Sequence, residues 1–162
     1  MDKKKINLLI VDDEKRFLES MKRRLELRGF NVIAVDRGEK AIEAAGEHDI
    51  DMALVDLKMP GMGGEAVLEA LKREHPWLEV VILTGHGSMV SASECARKGA
   101  CSYLPKPCEL DQILEVLARA YRKRCMNRMK IGKVRMDEML GPLAGRPPLE
   151  VIRRLKELVE KD

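Results

Sequence analysis

Five short, nearly unbroken apolar runs, most of them followed by a stretch of helical period, constrain this fold more than any other feature. Ile6 to Val11 is interrupted only by Asn7 and leads into Asp12-Asp13-Glu14. Residues 14–28 then set Phe17, Leu18, Met21 and Leu25 at helical spacing, and Gly29 supplies the stop. The alternation continues with strands predicted at Asn31–Val35, Ile50–Val55, Glu79–Leu83 and Cys101–Leu104. Helices are predicted at Glu39–Glu47, Glu65–Glu74 and Met89–Lys98, and from Glu109 onward, where Ile113, Leu117 and Ala120 share a face. Gly and Pro crowd Lys58-Met59-Pro60-Gly61-Met62-Gly63-Gly64, which reads as a loop. This pattern implies an α/β chain, a doubly wound five-stranded parallel sheet with helices on both faces. The continuous apolarity of the first, third and fourth strands fits central strands buried on both sides.

In such sheets chemistry collects at the carboxyl ends of the strands. The predicted first strand ends in Asp12-Asp13, the third in Asp56 and the fourth in Thr84, and the fifth leads to Lys106. Three carboxylates at one rim repel one another unless a cation relieves them. Oxygen donors favour magnesium, or manganese, over zinc, with His86 the one imidazole close in sequence. With the cation in place, one carboxylate is free to attack phosphorus and form an aspartyl phosphate. Lys106 supplies a point charge for phosphoryl oxygens and Thr84 a hydroxyl donor. The rim reads as a site of phosphoryl chemistry.

The residues that carry this reading also carry a resemblance. Leu9-Ile10-Val11-Asp12-Asp13-Glu14, Ala53-Leu54-Val55-Asp56-Leu57-Lys58-Met59-Pro60-Gly61-Met62, Val81-Ile82-Leu83-Thr84-Gly85 and Gly99-Ala100-Cys101-Ser102-Tyr103-Leu104-Pro105-Lys106-Pro107 stand in order along the chain. From about Lys5 to Arg124 the chain resembles the receiver domain of two-component response regulators. The resemblance implies the flavodoxin-like receiver fold with strand order 2-1-3-4-5. It implies that Asp56 accepts a phosphoryl group from the phosphohistidine of a histidine kinase or histidine phosphotransfer protein. Asp13 would bind the metal directly, Asp12 would support it through water, and Asp56 and the Lys58 backbone carbonyl would complete the protein ligands. Thr84 would swing towards the phosphoryl group, Tyr103 would rotate inward behind it, and Lys106 would hold a phosphate oxygen. The Lys106-Pro107 bond would be cis. Lys58 and His86 would help set how long the phosphate survives. The face made by the fourth helix, fifth strand and fifth helix would meet an output protein or a second copy. Gly63 stands where the family commonly has Asp or Asn, which implies a freer loop after Asp56.

Composition supports this and limits the alternatives. Of 162 residues 45% are hydrophobic and 35% charged, as in a globular chain, and no apolar window approaches a membrane span. The N-terminal apolar run is too short for a secretory signal, and Cys95, Cys101, Cys108 and Cys125 form no CxxC pair. Reduced thiols in a cytoplasmic protein are expected. Cys95 and Cys101 read as small buried side chains, and Cys108 and Cys125 as the more exposed pair. The net charge of +3 hides an asymmetry: from Arg119 onward there are 13 basic and 6 acidic residues. Residues 1–124 are therefore expected to form the receiver unit and 125–162 a helical extension. In the extension a fifth helix would run on past Arg124, with Met126, Met129, Met136 and Met139 as a seam. After a turn at Gly141-Pro142-Leu143-Ala144-Gly145, a helix at Leu149–Glu160 would fold back onto the body or onto a second copy. A basic tail also admits a minimal DNA-binding regulator, although only Tyr121 is aromatic there and no helix-turn-helix pattern is evident. A phosphohydrolase with its nucleophile on the first strand would want Asp-x-Asp in place of Asp12-Asp13-Glu14. A flavin-type cofactor would want a Gly-rich or hydroxyl-rich cradle there.

Overall fold

A computed structural model describes residues 5–141 and 145–161; Pro142, Leu143 and Ala144 of the expected turn lie outside the described residues. Five strands alternate with five helices: β1 (Asn7–Val11), α1 (Lys15–Glu26), β2 (Asn31–Val35), α2 (Gly38–Glu47), β3 (Met52–Val55), α3 (Gly64–Glu74), β4 (Glu79–Thr84), α4 (Met89–Arg97), β5 (Ser102–Pro105) and α5 (Leu110–Met129). Two more helices follow, α6 (Lys133–Leu140) and α7 (Pro148–Lys161). All pairings are parallel, in the order β2-β1-β3-β4-β5. Among the described residues, no helix is long and apolar enough to cross a membrane.

The period-two geometry of a strand explains why the central runs are continuously apolar. Leu8, Ile10, Met52, Leu54, Val81 and Leu83 face one layer, with Leu18, Met21 and Leu25 of α1 and Ile113 and Leu117 of α5. Leu9, Val11, Ala53, Val55, Val80 and Ile82 face the other, against α2, α3 and Cys95 of α4. The register fixes the rim. Val11 pairs with Val55, and the Asp56 amide continues the ladder to the Val11 carbonyl at 3.0 Å, so Asp12 and Asp56 leave the sheet side by side. Thr84 pairs with Pro105, placing Lys106 next to them.

The extension folds onto its own body. Met136 and Leu140 of α6 and Ile152 and Leu155 of α7 join the same core cluster as Tyr121 and Cys125 of α5 and Ile6 and Phe30 of the sheet's base. The expected continuous methionine seam is not formed. α5 stops at Lys130, whose φ of 55° is left-handed, and Gly132 caps a separate α6. The Ile131 amide bonds back to the Met126 carbonyl at 3.1 Å and its side chain packs on the core, which holds the break in place. Leu155 is fully buried. Leu155→Ala should cost about 2–5 kcal/mol, read as a lower denaturant midpoint of the whole chain.

Cys125 is also buried, contrary to the expectation that it is exposed, because α7 covers this side of α5. Burial pushes its thiol up to about 12. Only a thiolate is nucleophilic, so iodoacetamide at pH 8 should leave Cys125 unmodified in the native chain and modify it after unfolding. Peptide mass mapping checks both.

Candidate functional site

The site at the carboxyl rim is built from β1, β3, β4 and the segment after β5. Carboxylate oxygens of Asp12, Asp13 and Asp56 lie within 4.8 Å of one another. Asp12 is 2% and Asp56 5% exposed, while Asp13 is exposed, so the cluster is a buried pair with one open member. Lys106 forms an ion pair with Asp12 Oδ2, and its Nζ stands 4.0 Å from Asp56 Oδ2. One ammonium against three carboxylates leaves the pocket net negative, an environment that attracts a cation. Asp56 Oδ1 is buried with no hydrogen-bond partner. An unpartnered carboxylate oxygen among oxygen donors is what a hard divalent ion satisfies, so the donor set fits magnesium.

Asp12 Oδ1 accepts the Glu14 amide at 2.9 Å, at the start of α1. Burial pushes its carboxyl above the ordinary range, and the bonds from Lys106 and Glu14 only partly offset that. The Lys106 ammonium also lies 4.0 Å from the centre of the Phe17 ring. This cation–π contact fixes the lysine head while its charge still faces the carboxylates. Sequence reasoning placed Phe17 only as a core residue of the first helix. Its position one turn after Asp13 was the available signal.

Thr84 is fully buried, and its Oγ1 accepts the His86 amide at 3.1 Å. Asp13, Leu57, Lys58, Met59, Pro60 and His86 line an open depression, so Lys58 and His86 stand beside the exposed member of the acidic cluster, at the mouth of the site. The Lys106-Pro107 bond is cis. Tyr103 lies apart from the acidic cluster: its hydroxyl bonds with Ser88 and Ser91 of the α4 N-terminus. Gly63 is the extended N-cap of α3, a conformation open to any residue. The tight position is Gly64, where a Cβ would lie 2.2 Å from the Asp56 carbonyl oxygen. Its missing side chain lets α3 begin directly against the Asp56 backbone.

Comparison with known proteins bears on this arrangement. Residues 8–118 match the response regulator receiver domain family. The chain is 34% identical to the DNA-binding transcriptional regulator NtrC of Escherichia coli (strain K12) over 111 residues, which are 68% of this chain and 24% of that protein. It is 30% identical to the response regulator protein FleR of Pseudomonas aeruginosa over 154 residues, 95% of this chain and 30% of that one. The chain thus spans a quarter to a third of the length of these relatives. The CheY-like receiver domain protein from Methanospirillum hungatei JF-1 superposes with a TM-score of 0.72 at 26% identity, covering 75% of this chain and 97% of that one. With the sheet order, the acidic rim and the family match in agreement, this chain belongs to the response regulator receiver domain family of two-component systems.

Proposed function

We propose that Asp56 accepts a phosphoryl group from a phosphohistidine on a histidine kinase or histidine phosphotransfer protein, in a reaction that requires a divalent cation. The observation that carries this reading is the Asp56 carboxylate itself. It is 5% exposed, has one oxygen unpartnered, and lies beside both Lys106 and the Asp12–Asp13 pair. An Asp56 oxygen attacks phosphorus, the phosphorus–nitrogen bond to the donor imidazole breaks, and the imidazole leaves with the electron pair. Lys106, already within reach of Asp56, neutralises charge on the phosphoryl oxygens. Thr84 gives up its bond from the His86 amide and donates its hydroxyl to another of those oxygens. Asp12, Asp13, Asp56 and the Lys58 carbonyl would hold magnesium, which offsets carboxylate repulsion and polarises the phosphoryl oxygens. Lys58 and His86, at the mouth, govern water's approach to the aspartyl phosphate and so its lifetime.

In this reading residues 1–124 are the phosphoacceptor unit and 125–162 an extension docked upon it. The chain is a switch without a separate substrate. It acts in the cytoplasm on an output protein or a second copy through the α4–β5–α5 face. Duplex binding by the tail is the weaker reading. Arg122, Lys123, Arg124, Arg135 and Arg146 face Asp137, Glu79, Asp51, Glu138 and Glu150, which leaves fewer cations for phosphates.

Intact mass after incubation with acetyl phosphate and magnesium tests the proposal. Wild type should gain one phosphoryl group, and Asp56→Asn or omission of magnesium should abolish the gain. A folded wild-type chain that gains nothing, or an Asp56→Asn variant that gains as much, would overturn it.

A further inference from the structure

Lys106 is rooted in the sheet. Its amide continues the ladder to the Thr84 carbonyl at 2.8 Å, and its side chain is 12% exposed. An ammonium carries three N–H donors and no acceptor. Among the described residues, Asp12 Oδ2 is its one hydrogen-bond acceptor. Asp56 Oδ2, at 4.0 Å, attracts the charge but lies beyond hydrogen-bond reach. A largely buried ammonium with two donors unassigned is costly unless something else attracts them. The Phe17 ring centre, also 4.0 Å from Nζ, supplies that attraction through the negative charge of its face.

The ring is itself held. Phe17 is half-buried on the first turn of α1, one turn after Asp13, and packs on the core cluster that α1 and α5 share with the sheet. Leu104 and Cys108, two residues before and two after Lys106, rest on the same cluster. The layer that carries the ring therefore also carries the chain on either side of the lysine.

We infer that Phe17 is a positioning residue for Lys106: its ring face takes one N–H of the ammonium, Asp12 takes another, and the third is thereby aimed at Asp56. A tetrahedral head with two donors engaged has a single direction left for the third, and Asp56 is the remaining charged partner there. A leucine at position 17 would fill space on the core but offer no negative face. The inference rests on the reading of Asp56 as phosphoacceptor. It adds that the charge on the ring face, rather than the bulk of the ring, sets how well Lys106 meets the arriving phosphoryl oxygens.

Mono-, di- and trifluorinated phenylalanine, placed at position 17 of the full chain by codon suppression, nearly keep the shape of the ring while draining its face of negative charge in steps. The rate of mass gain with acetyl phosphate and magnesium should fall with each added fluorine. It should end about three- to tenfold below wild type for the trifluorinated ring and for Phe17→Leu, the span of a partly desolvated cation–π contact. Phe17→Tyr, which keeps an aromatic face, should recover most of the Phe17→Leu loss. In a Lys106→Ala background Phe17→Leu should change the rate less than twofold, because the ring then has no ammonium to hold. The ε-methylene protons of Lys106, assigned with Lys106→Arg, report the contact by NMR in the unphosphorylated chain. The ring shields them, so Phe17→Leu should move them downfield. Rates within twofold across the fluorinated series would overturn the inference, with Asp56 still the phosphoacceptor. So would a Phe17→Leu loss that persists undiminished without Lys106, or Lys106 protons that Phe17→Leu does not move. A wild-type chain that gains no phosphoryl group while those protons do shift refutes the phosphoacceptor reading, and the positioning role in the transfer falls with it.

Discussion

Lys106→Ala should slow phosphorylation of Asp56 by acetyl phosphate about 10²- to 10³-fold, the cost of removing one preorganised charge donor from a developing oxyanion. The ammonium is held from three sides, by Asp12, by the approach to Asp56 and by the Phe17 ring, so it needs no reorganisation during the reaction. Removing it also strips Asp12, a carboxylate 2% exposed, of its countercharge. Lys106→Arg should recover only part of the rate, because a planar fork does not replace a compact ammonium in a pocket shaped by an aromatic face. The measurement is the rate of the mass gain at fixed magnesium. Rates within threefold of wild type for Lys106→Ala would remove the lysine from the transfer step.

Arg124→Ala should be the most destabilising change at the other end of the sheet. The residue is 3% exposed, and its guanidinium pairs with Asp51 at 3.0 Å and donates to the Trp77 carbonyl at 2.7 Å. Burial already raises the Asp51 carboxyl above its ordinary range, with Arg124 among the groups that oppose the rise. Deleting the arginine leaves the Asp51 carboxylate with no countercharge and only the Asn7 amide at 2.8 Å, and leaves the Trp77 carbonyl without the guanidinium donor. The expected loss is about 3–5 kcal/mol by denaturant midpoint. Arg124→Ala/Asp51→Asn should recover part of it, since no uncompensated charge then remains. Equal losses in the single and double variants would mean that the guanidinium acts only by filling space.

How much of this was legible depends on what each residue type advertises. Central parallel strands must be apolar on both faces, so β1, β3 and β4 stand out as unbroken runs, and charges at their ends stand out in turn. That is why Asp12, Asp13, Asp56, Thr84 and Lys106 were identifiable as one rim. Arg124 and Cys125 were not legible, because a basic run on a helix ordinarily reads as a solvated face. Their burial comes from α7 closing over α5 and from Asp51, a residue distant in sequence. The break after Met129 was hidden for a similar reason. Lys130 carries no compositional sign of a left-handed residue, and it is held there by the packing of Ile131. Phe17 has the spacing of a core residue, and its contact with Lys106 depends on how strand ends are brought together. Ser88 and Ser91 read as polar loop and helix residues until Tyr103 is placed over them.

The most direct test is to locate the phosphoryl group. Borohydride cleaves an aspartyl phosphate reductively and leaves homoserine in the chain, which peptide mass mapping then finds. After acetyl phosphate and magnesium, the predicted result is homoserine at position 56 alone, absent without magnesium. Homoserine at position 12 or 13, or a phosphoryl group retained on a serine or threonine, would contradict the account.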